Sequence, residues 1–118
     1  SSSVVFTASI SGYNNVAPAN GIYGTSKSAL STYMKYAALE LAGKGIRCNA
    51  VQPGRINTPL ISNRLLSEED VTKDIEQYPM KRYGKPEEVA HAIIYLLSDA
   101  SAWVTGTNLV IDGGRSLK

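Results

Sequence analysis

Only one cysteine, Cys48, and one histidine, His91, occur among the 118 residues. A single thiol excludes an internal disulfide and a cysteine-built metal cage, and a single imidazole excludes a multi-histidine zinc site. Excess charge is just as scarce: 12 Lys and Arg face 10 Asp and Glu, a formal net charge of +2. So small an excess gives no electrostatic reason to expect a phosphate backbone as ligand, and no nucleic-acid partner is expected. No apolar run approaches the ~18 residues of a membrane span, and the opening Ser1-Ser-Ser-Val-Val-Phe6 lacks the basic segment and apolar core of a secretory signal. A soluble, cytoplasmic protein with no membrane partner is expected, one whose chemistry must use hydroxyls, amines or carboxylates. There is no initiating Met, and apolar Val4, Val5 and Phe6 come at once, so the chain is expected to be a fragment.

What is present is an ordinary globular composition, 43% apolar and 19% charged, with a clear alternation of patterns. Residues 4–9, 46–52 and 108–112 are short β-branched or apolar runs that predict three strands. Between the first two, residues 23–42 carry Leu30, Tyr33, Met34, Ala37, Ala38 and Leu41 at spacings of three and four, which predicts a helix. Gly43 and Gly45 supply the left-handed conformation that ends it, with Lys44 at the negative end of the dipole. Ser67 followed by Glu68, Glu69 and Asp70 reads as an N-cap with an acidic first turn, predicting a short helix to about residue 77. Pro86 with Glu87 and Glu88 opens another, over residues 86–98. Strands alternating with crossover helices predict a parallel sheet covered on both faces. Three such strands would leave bare edges, so further strands are expected beside residues 4–9.

The most suggestive chemistry lies in Tyr23-Gly-Thr-Ser-Lys27. Four residues apart on a helix, a phenol and an amine share one face. A free phenol keeps its proton at neutral pH, but an ammonium at about 4 Å and an effective dielectric of about 20 favours the phenolate by roughly 4 kcal/mol. The same spacing is also what a solvated helix face carries. Position adds weight: Ser9 is read as the end of the first strand, and the loop over residues 10–22 returns the chain to the helix start at the ligand end of an α/β sheet. A serine there can bond a substrate oxygen while Tyr23 exchanges a proton with it. Ser11 is the rival, and either serine could simply bond its own backbone.

Ser9 with Gly12, Tyr23-Gly-Thr-Ser-Lys27, Leu39-Glu-Leu-Ala42, Gly45-Ile-Arg-Cys-Asn-Ala-Val-Gln-Pro-Gly54, Thr58-Pro59, Gly84-Lys-Pro-Glu-Glu-Val-Ala90 and Thr105-Gly-Thr-Asn-Leu-Val-Ile-Asp-Gly-Gly114 together span nearly the whole chain. In this order and spacing they resemble the carboxyl-terminal half of a short-chain dehydrogenase/reductase. The resemblance implies the second half of a doubly wound, Rossmann-like α/β domain, with residues 1–118 as the carboxyl-terminal part of that one domain. It implies an NAD- or NADP-dependent oxidoreductase that interconverts an alcohol with a ketone or aldehyde, similar to 3-oxoacyl carrier-protein reductases. Ser9 would bind the substrate carbonyl, Tyr23 would exchange the proton, and Lys27 would ease that exchange and bond the nicotinamide ribose. Pro53 and Gly54 would border the nicotinamide, Ile56 would add backbone contacts, and Thr58 would offer a hydroxyl to the carboxamide.

Ala8 stands where the family often has a second serine, and no Gly-x-Gly-x-x-Gly occurs, so the pyrophosphate loop is missing. The 118 residues alone are therefore expected to be inactive, the alternative being a non-catalytic oligomerisation or regulatory module. Residues 60–78 are expected to act as a lid, with Leu60, Ile61, Leu65, Leu66 and Tyr78 beneath it. Cys48 and Asn49 are expected to be structural, His91 to be packed or on the surface, and Trp103 to pack near the last strand. Helices that are apolar on two sides imply a homodimer or homotetramer.

Overall fold

The computed structural model describes residues 2–12, 14–59 and 67–118. Three strands, β1 (Ser2–Thr7), β2 (Ile46–Pro53) and β3 (Asn108–Ile111), form a sheet of order β1-β2-β3. Both pairings are parallel, with Val4 beside Cys48, Phe6 beside Ala50, and Val51 beside Leu109. Helix α1 (Gly21–Leu41) joins β1 to β2, and α2 (Glu68–Glu76) and α3 (Pro86–Leu97) lie between β2 and β3. The parallel α/β arrangement expected from the alternating patterns is present. Among the described residues β1 is an edge strand, and no helix is long and apolar enough to cross a membrane.

Alternation along β2 assigns its two faces. Cys48 and Ala50 join Ala8, Met34, Ala37 and Ala38 in a core against α1, packed round by Phe6, Leu30, Leu41 and Ile46. The small side chains let the helix approach closely, and wholly buried Met34 fills what remains. Burial pushes the Cys48 thiol pKa up, as suits an inert core residue. On the other face, Arg47 donates to the Ser98 and Val104 carbonyls and to Ser101 Oγ, while Ser3 Oγ donates to the Leu96 carbonyl. Fully buried Asn49 donates through Nδ2 to the Val104 carbonyl and accepts from the Thr107 backbone N–H, both at 3.0 Å.

Several boundaries differ from the sequence reading. β1 ends at Thr7, so Ser9 lies two residues beyond the strand rather than closing it. Helix α1 begins at Gly21 and ends at Leu41, where a 3-10 turn (Ala42–Lys44) takes over. Of the two expected glycine stops only Gly45, at φ 74°, is left-handed, because the 3-10 turn absorbs Gly43. α3 ends at Leu97, with Ser98 as its cap. Trp103, expected to pack, is 99% exposed. The turn that carries it is anchored by Ser101 and Val104, whose bonds to Arg47 and Asn49 hold them against the sheet and leave Ala102 and Trp103 between them outside. His91 lies on the surface.

Two helix starts behave as capping chemistry requires. Ser67 Oγ accepts from the Asp70 N–H at 3.1 Å. At α3, Glu88 reaches back to the Lys85 N–H at 2.8 Å while Arg82 grips both of its oxygens, at 2.6 and 2.8 Å. The Arg82 fork, aided by the backbone bond, pulls the Glu88 carboxyl down to about 2. A lowered folded-state value means that the contribution is complete above the ordinary carboxylate range and lost as pH falls toward 2. Urea midpoints of the parent and of Glu88→Gln should therefore differ at neutral pH and converge near pH 2. Asn49→Ala should cost roughly 1–3 kcal/mol of unfolding free energy, read from urea titration, because it leaves the Thr107 N–H without its partner and the Val104 carbonyl with Arg47 alone.

Candidate active site

At the carboxyl ends of β1 and β2 the chain encloses an open cleft of about 650 Å³. Ser9, Tyr23, Lys27, Pro53, Gly54, Ile56 and Thr58 all line it, as does Ser11. Every residue singled out as a catalytic or cofactor-side candidate thus faces one space. The convergence follows from topology, since parallel strands point their carboxyl ends the same way and the α1 amino terminus returns to that edge.

Each polar group is held by a short path to the sheet. Ser9 is buried, and its Oγ accepts from the Ser11 N–H at 3.0 Å, which leaves the Ser9 O–H to donate. Ser11 Oγ accepts from Asn20 Nδ2 at 3.4 Å, a longer and weaker contact. Tyr23 is the third residue of α1 and is about half exposed at the cleft. Lys27, one turn on, places Nζ 5.8 Å from the Tyr23 ring centroid and donates to the Thr7 carbonyl at 3.1 Å. The ammonium is therefore tethered to the end of β1 beside the phenol ring.

Two glycines set the distance between the serine loop and the tyrosine helix. Gly12 has φ +79°, and a Cβ built on it would fall 2.5 Å from the Gly24 carbonyl oxygen. The loop therefore rests backbone to backbone on the first turn of α1, next to Tyr23. Behind it, Asn14 Nδ2 donates to Gln52 Oε1 at 2.9 Å, and Gln52 Nε2 donates to Ser31 Oγ at 3.1 Å. Fully buried Gln52 thereby joins the loop to the helix from inside β2. The sequence reading gave Gln52 no role, although an amide following Ala50 and Val51 just before Pro53 was the available signal.

The opposite wall is the turn after β2. Pro53 closes the strand where its missing N–H is harmless, and its carbonyl accepts from the Ile10 N–H at 3.2 Å. The Gly54 N–H donates to the Ile111 carbonyl at 2.9 Å. A Cβ on Gly54 would come 3.0 Å from Asp112 Cβ and 3.2 Å from Tyr78 Cε1, so any side chain here would push those neighbours back by a few tenths of an ångström. Ile56 bridges Gly84, with the Gly84 N–H donating to the Arg55 carbonyl at 3.0 Å and the Asn57 N–H to the Gly84 carbonyl at 2.8 Å. Tyr78, at the cleft's back wall, is 5% exposed; burial first pushes its phenol pKa up, against the bond from the Arg55 N–H. Leu60, Ile61, Leu65 and Leu66, expected beneath a lid, lie outside the described residues. Among the described residues no group of three or more His, Cys, Asp or Glu could hold a metal ion.

A family model described as enoyl-(acyl carrier protein) reductase matches residues 1–116. Cyclohexanol dehydrogenase from an Acinetobacter species is 42% identical over 115 residues, covering 98% of this chain and 43% of that protein. The 3-oxoacyl-(acyl-carrier-protein) reductase FabG of Thermotoga maritima is 43% identical over 113 residues, covering 95% and 44%. A solved short-chain type dehydrogenase/reductase from Mycobacterium ulcerans superposes with a TM-score of 0.92 at 37% identity, covering 98% of this chain and 42% of that one. The chain belongs to the short-chain dehydrogenase/reductase family and corresponds to the carboxyl-terminal part of its Rossmann-like fold. It spans less than half the length of these relatives.

The Gly12 contact supplies a test of this geometry. Gly12→Ala should destabilise the protein by at least about 1 kcal/mol from its left-handed backbone alone, with the collision against Gly24 adding to that. A crystal structure of the variant should show residues 9–12 displaced from α1.

Proposed function

We propose that the protein carrying this chain is a cytoplasmic NAD- or NADP-dependent oxidoreductase that interconverts an alcohol and a ketone or aldehyde, working as a ketoreductase similar to 3-oxoacyl carrier-protein reductases. The observation that carries the reading is the meeting of Ser9, Tyr23 and Lys27 with the 53–58 turn in one cleft at the ligand end of a parallel sheet. The donor set suits the nicotinamide end of a dinucleotide. Lys27 would offer an ammonium to a ribose hydroxyl, Thr58 would offer a hydroxyl, and Pro53 and Gly54 line the same cleft. No Gly-x-Gly-x-x-Gly lies in the 118 residues to cradle the pyrophosphate.

When bound, the nicotinamide supplies or accepts a hydride. The chain's own residues handle the proton. In the reductive direction Ser9 O–H and Tyr23 O–H both point donors at the substrate carbonyl oxygen, stabilising the negative charge that develops there, and Tyr23 delivers its proton to that oxygen. Lys27, held by the Thr7 carbonyl, keeps a positive charge beside the phenol as it loses the proton. In the oxidative direction the same groups act in reverse. Ser11 is the neighbouring alternative to Ser9, but the buried and backbone-anchored position of Ser9 suits a fixed donor better.

Hydride transfer requires a cofactor fixed at near-attack distance, so the 118 residues alone should show no turnover. A homodimer or homotetramer is proposed as well, supported by Tyr33, Tyr36 and Leu39 exposed on α1 and Ile94 and Leu97 on α3.

Tyr23→Phe in the protein carrying this chain should abolish alcohol or ketone turnover while leaving dinucleotide affinity nearly unchanged. Lys27→Met should weaken both. Steady-state kinetics with cyclohexanol and short 3-oxoacyl thioesters, together with NADH and NADPH titrations, measure the two effects, and undiminished turnover by Tyr23→Phe would refute the assignment.

A further inference from the structure

Behind the 53–58 turn lies a polar cluster that the chemistry above does not use. Arg55 Nη1 donates to Asp74 Oδ2 at 2.5 Å, and the Tyr83 hydroxyl donates to the same oxygen at 2.6 Å. The Arg55 guanidinium carbon stands 5.8 Å from the Tyr83 ring centroid, so the cation also meets that ring. Tyr83 and Tyr78 pack edge to face, with centroids 5.9 Å apart. The Arg55 backbone N–H donates to the Tyr78 hydroxyl at 2.9 Å, and its carbonyl accepts from the Gly84 N–H at 3.0 Å.

Three segments distant in sequence meet at one carboxylate oxygen: the turn after β2, helix α2, and the loop before α3. Arg55 and Asp74 each keep only about a third of their side-chain exposure (31% and 30%), so the pair is more shielded than a surface contact. Burial first pushes the Tyr83 hydroxyl pKa up, with its bond to Asp74 acting in the same direction, so the hydroxyl stays a donor. Arg55 is thus held at its N–H, its carbonyl and its guanidinium at once. Its neighbours Gly54 and Ile56 line the cleft, as Arg55 itself does, so fixing Arg55 limits how far the turn can move there.

The geometry points to Arg55, Asp74 and Tyr83 as a latch that positions the 53–58 turn, and through it the nicotinamide end of the bound dinucleotide. The inference rests on the oxidoreductase reading and deepens it: these residues are positioning groups, acting on the ring's wall from behind. The latch makes a specific demand on affinity, because a loosened turn should weaken contacts to the nicotinamide and leave the adenosine end unaffected.

Asp74→Asn and Tyr83→Phe, made singly and together in the protein carrying this chain, test it by titration with NADH or NADPH and with ADP-ribose or its 2′-phosphate, which lack the ring. Loss of a charge-assisted bond should weaken the whole dinucleotide about tenfold and the ring-less probe by less than about twofold. The double variant should be weaker than Asp74→Asn alone, because the amide oxygen left at position 74 still accepts from the Tyr83 hydroxyl until that too is removed. Equal weakening of both probes, or of neither, would overturn the latch. Hydrogen exchange gives a reading independent of any ligand. Amides of residues 54–57 should exchange faster in Asp74→Asn while those of 48–51 do not, and unchanged exchange in 54–57 also overturns it. A parent protein that binds neither dinucleotide, but whose exchange responds as described, would instead count against the oxidoreductase reading.

Discussion

Burying polar side chains in the middle strand is the constraint on which the rest of the structure depends. β2 is paired along both edges and covered on both faces, yet it carries Arg47, Asn49 and Gln52. A polar group removed from water has to find partners inside the protein; Arg47 and Asn49 find them along residues 98–107, sharing the Val104 carbonyl, and Gln52 finds them on α1 and the loop after β1. Arg47 gathers the carbonyls at the end of α3 and beyond it. Asn49 pins the approach to β3, and Gln52 ties α1 to the loop after β1. One strand thus determines where all of its neighbours sit, because any shift would strand a donor or acceptor.

The cleft inherits this rigidity. Its serine wall rests on α1 through Gly12 and Gly24 and is anchored to Gln52 by Asn14. The facing wall continues directly from β2 through Pro53 and is braced by Tyr78, which accepts from the Arg55 N–H, and by the Arg55–Asp74 pair. Tyr23 and Lys27 stand between them on a helix whose inner face is packed against the sheet. The side chains that line the cleft are therefore carried on elements that cannot drift independently.

Much of this was legible in the residues. Alternating strand and helix patterns disclosed a parallel α/β fold, the phenol–amine spacing marked Tyr23 and Lys27, and the strand end pointed to Ser9 with Ser11 as rival, whereas Pro53, Gly54, Ile56 and Thr58 were named only through the family resemblance. The signals were local, made of period, capping and turn chemistry, and local signals survive folding. What escaped was long-range. Nothing adjacent to Gln52 in sequence announces Ser31 or Asn14, and Arg55, Asp74 and Tyr83 are separated by stretches that only the folded chain closes. The outward Trp103 was missed for the same reason: which side of a short turn faces the core depends on partners more than fifty residues away. Strand and helix ends moved by no more than two residues, in part because 3-10 turns and hydrogen-bonded caps trim elements in ways that propensity does not record.

That outward indole has a practical meaning for anyone handling the molecule. As the only tryptophan of the chain, almost wholly in water while the protein is folded, it should emit at long wavelength before and after denaturation alike. Its intrinsic fluorescence would therefore be a poor gauge of unfolding. The same dye-like residue should turn bluer only when another surface closes over its turn, which makes it a built-in reporter of association.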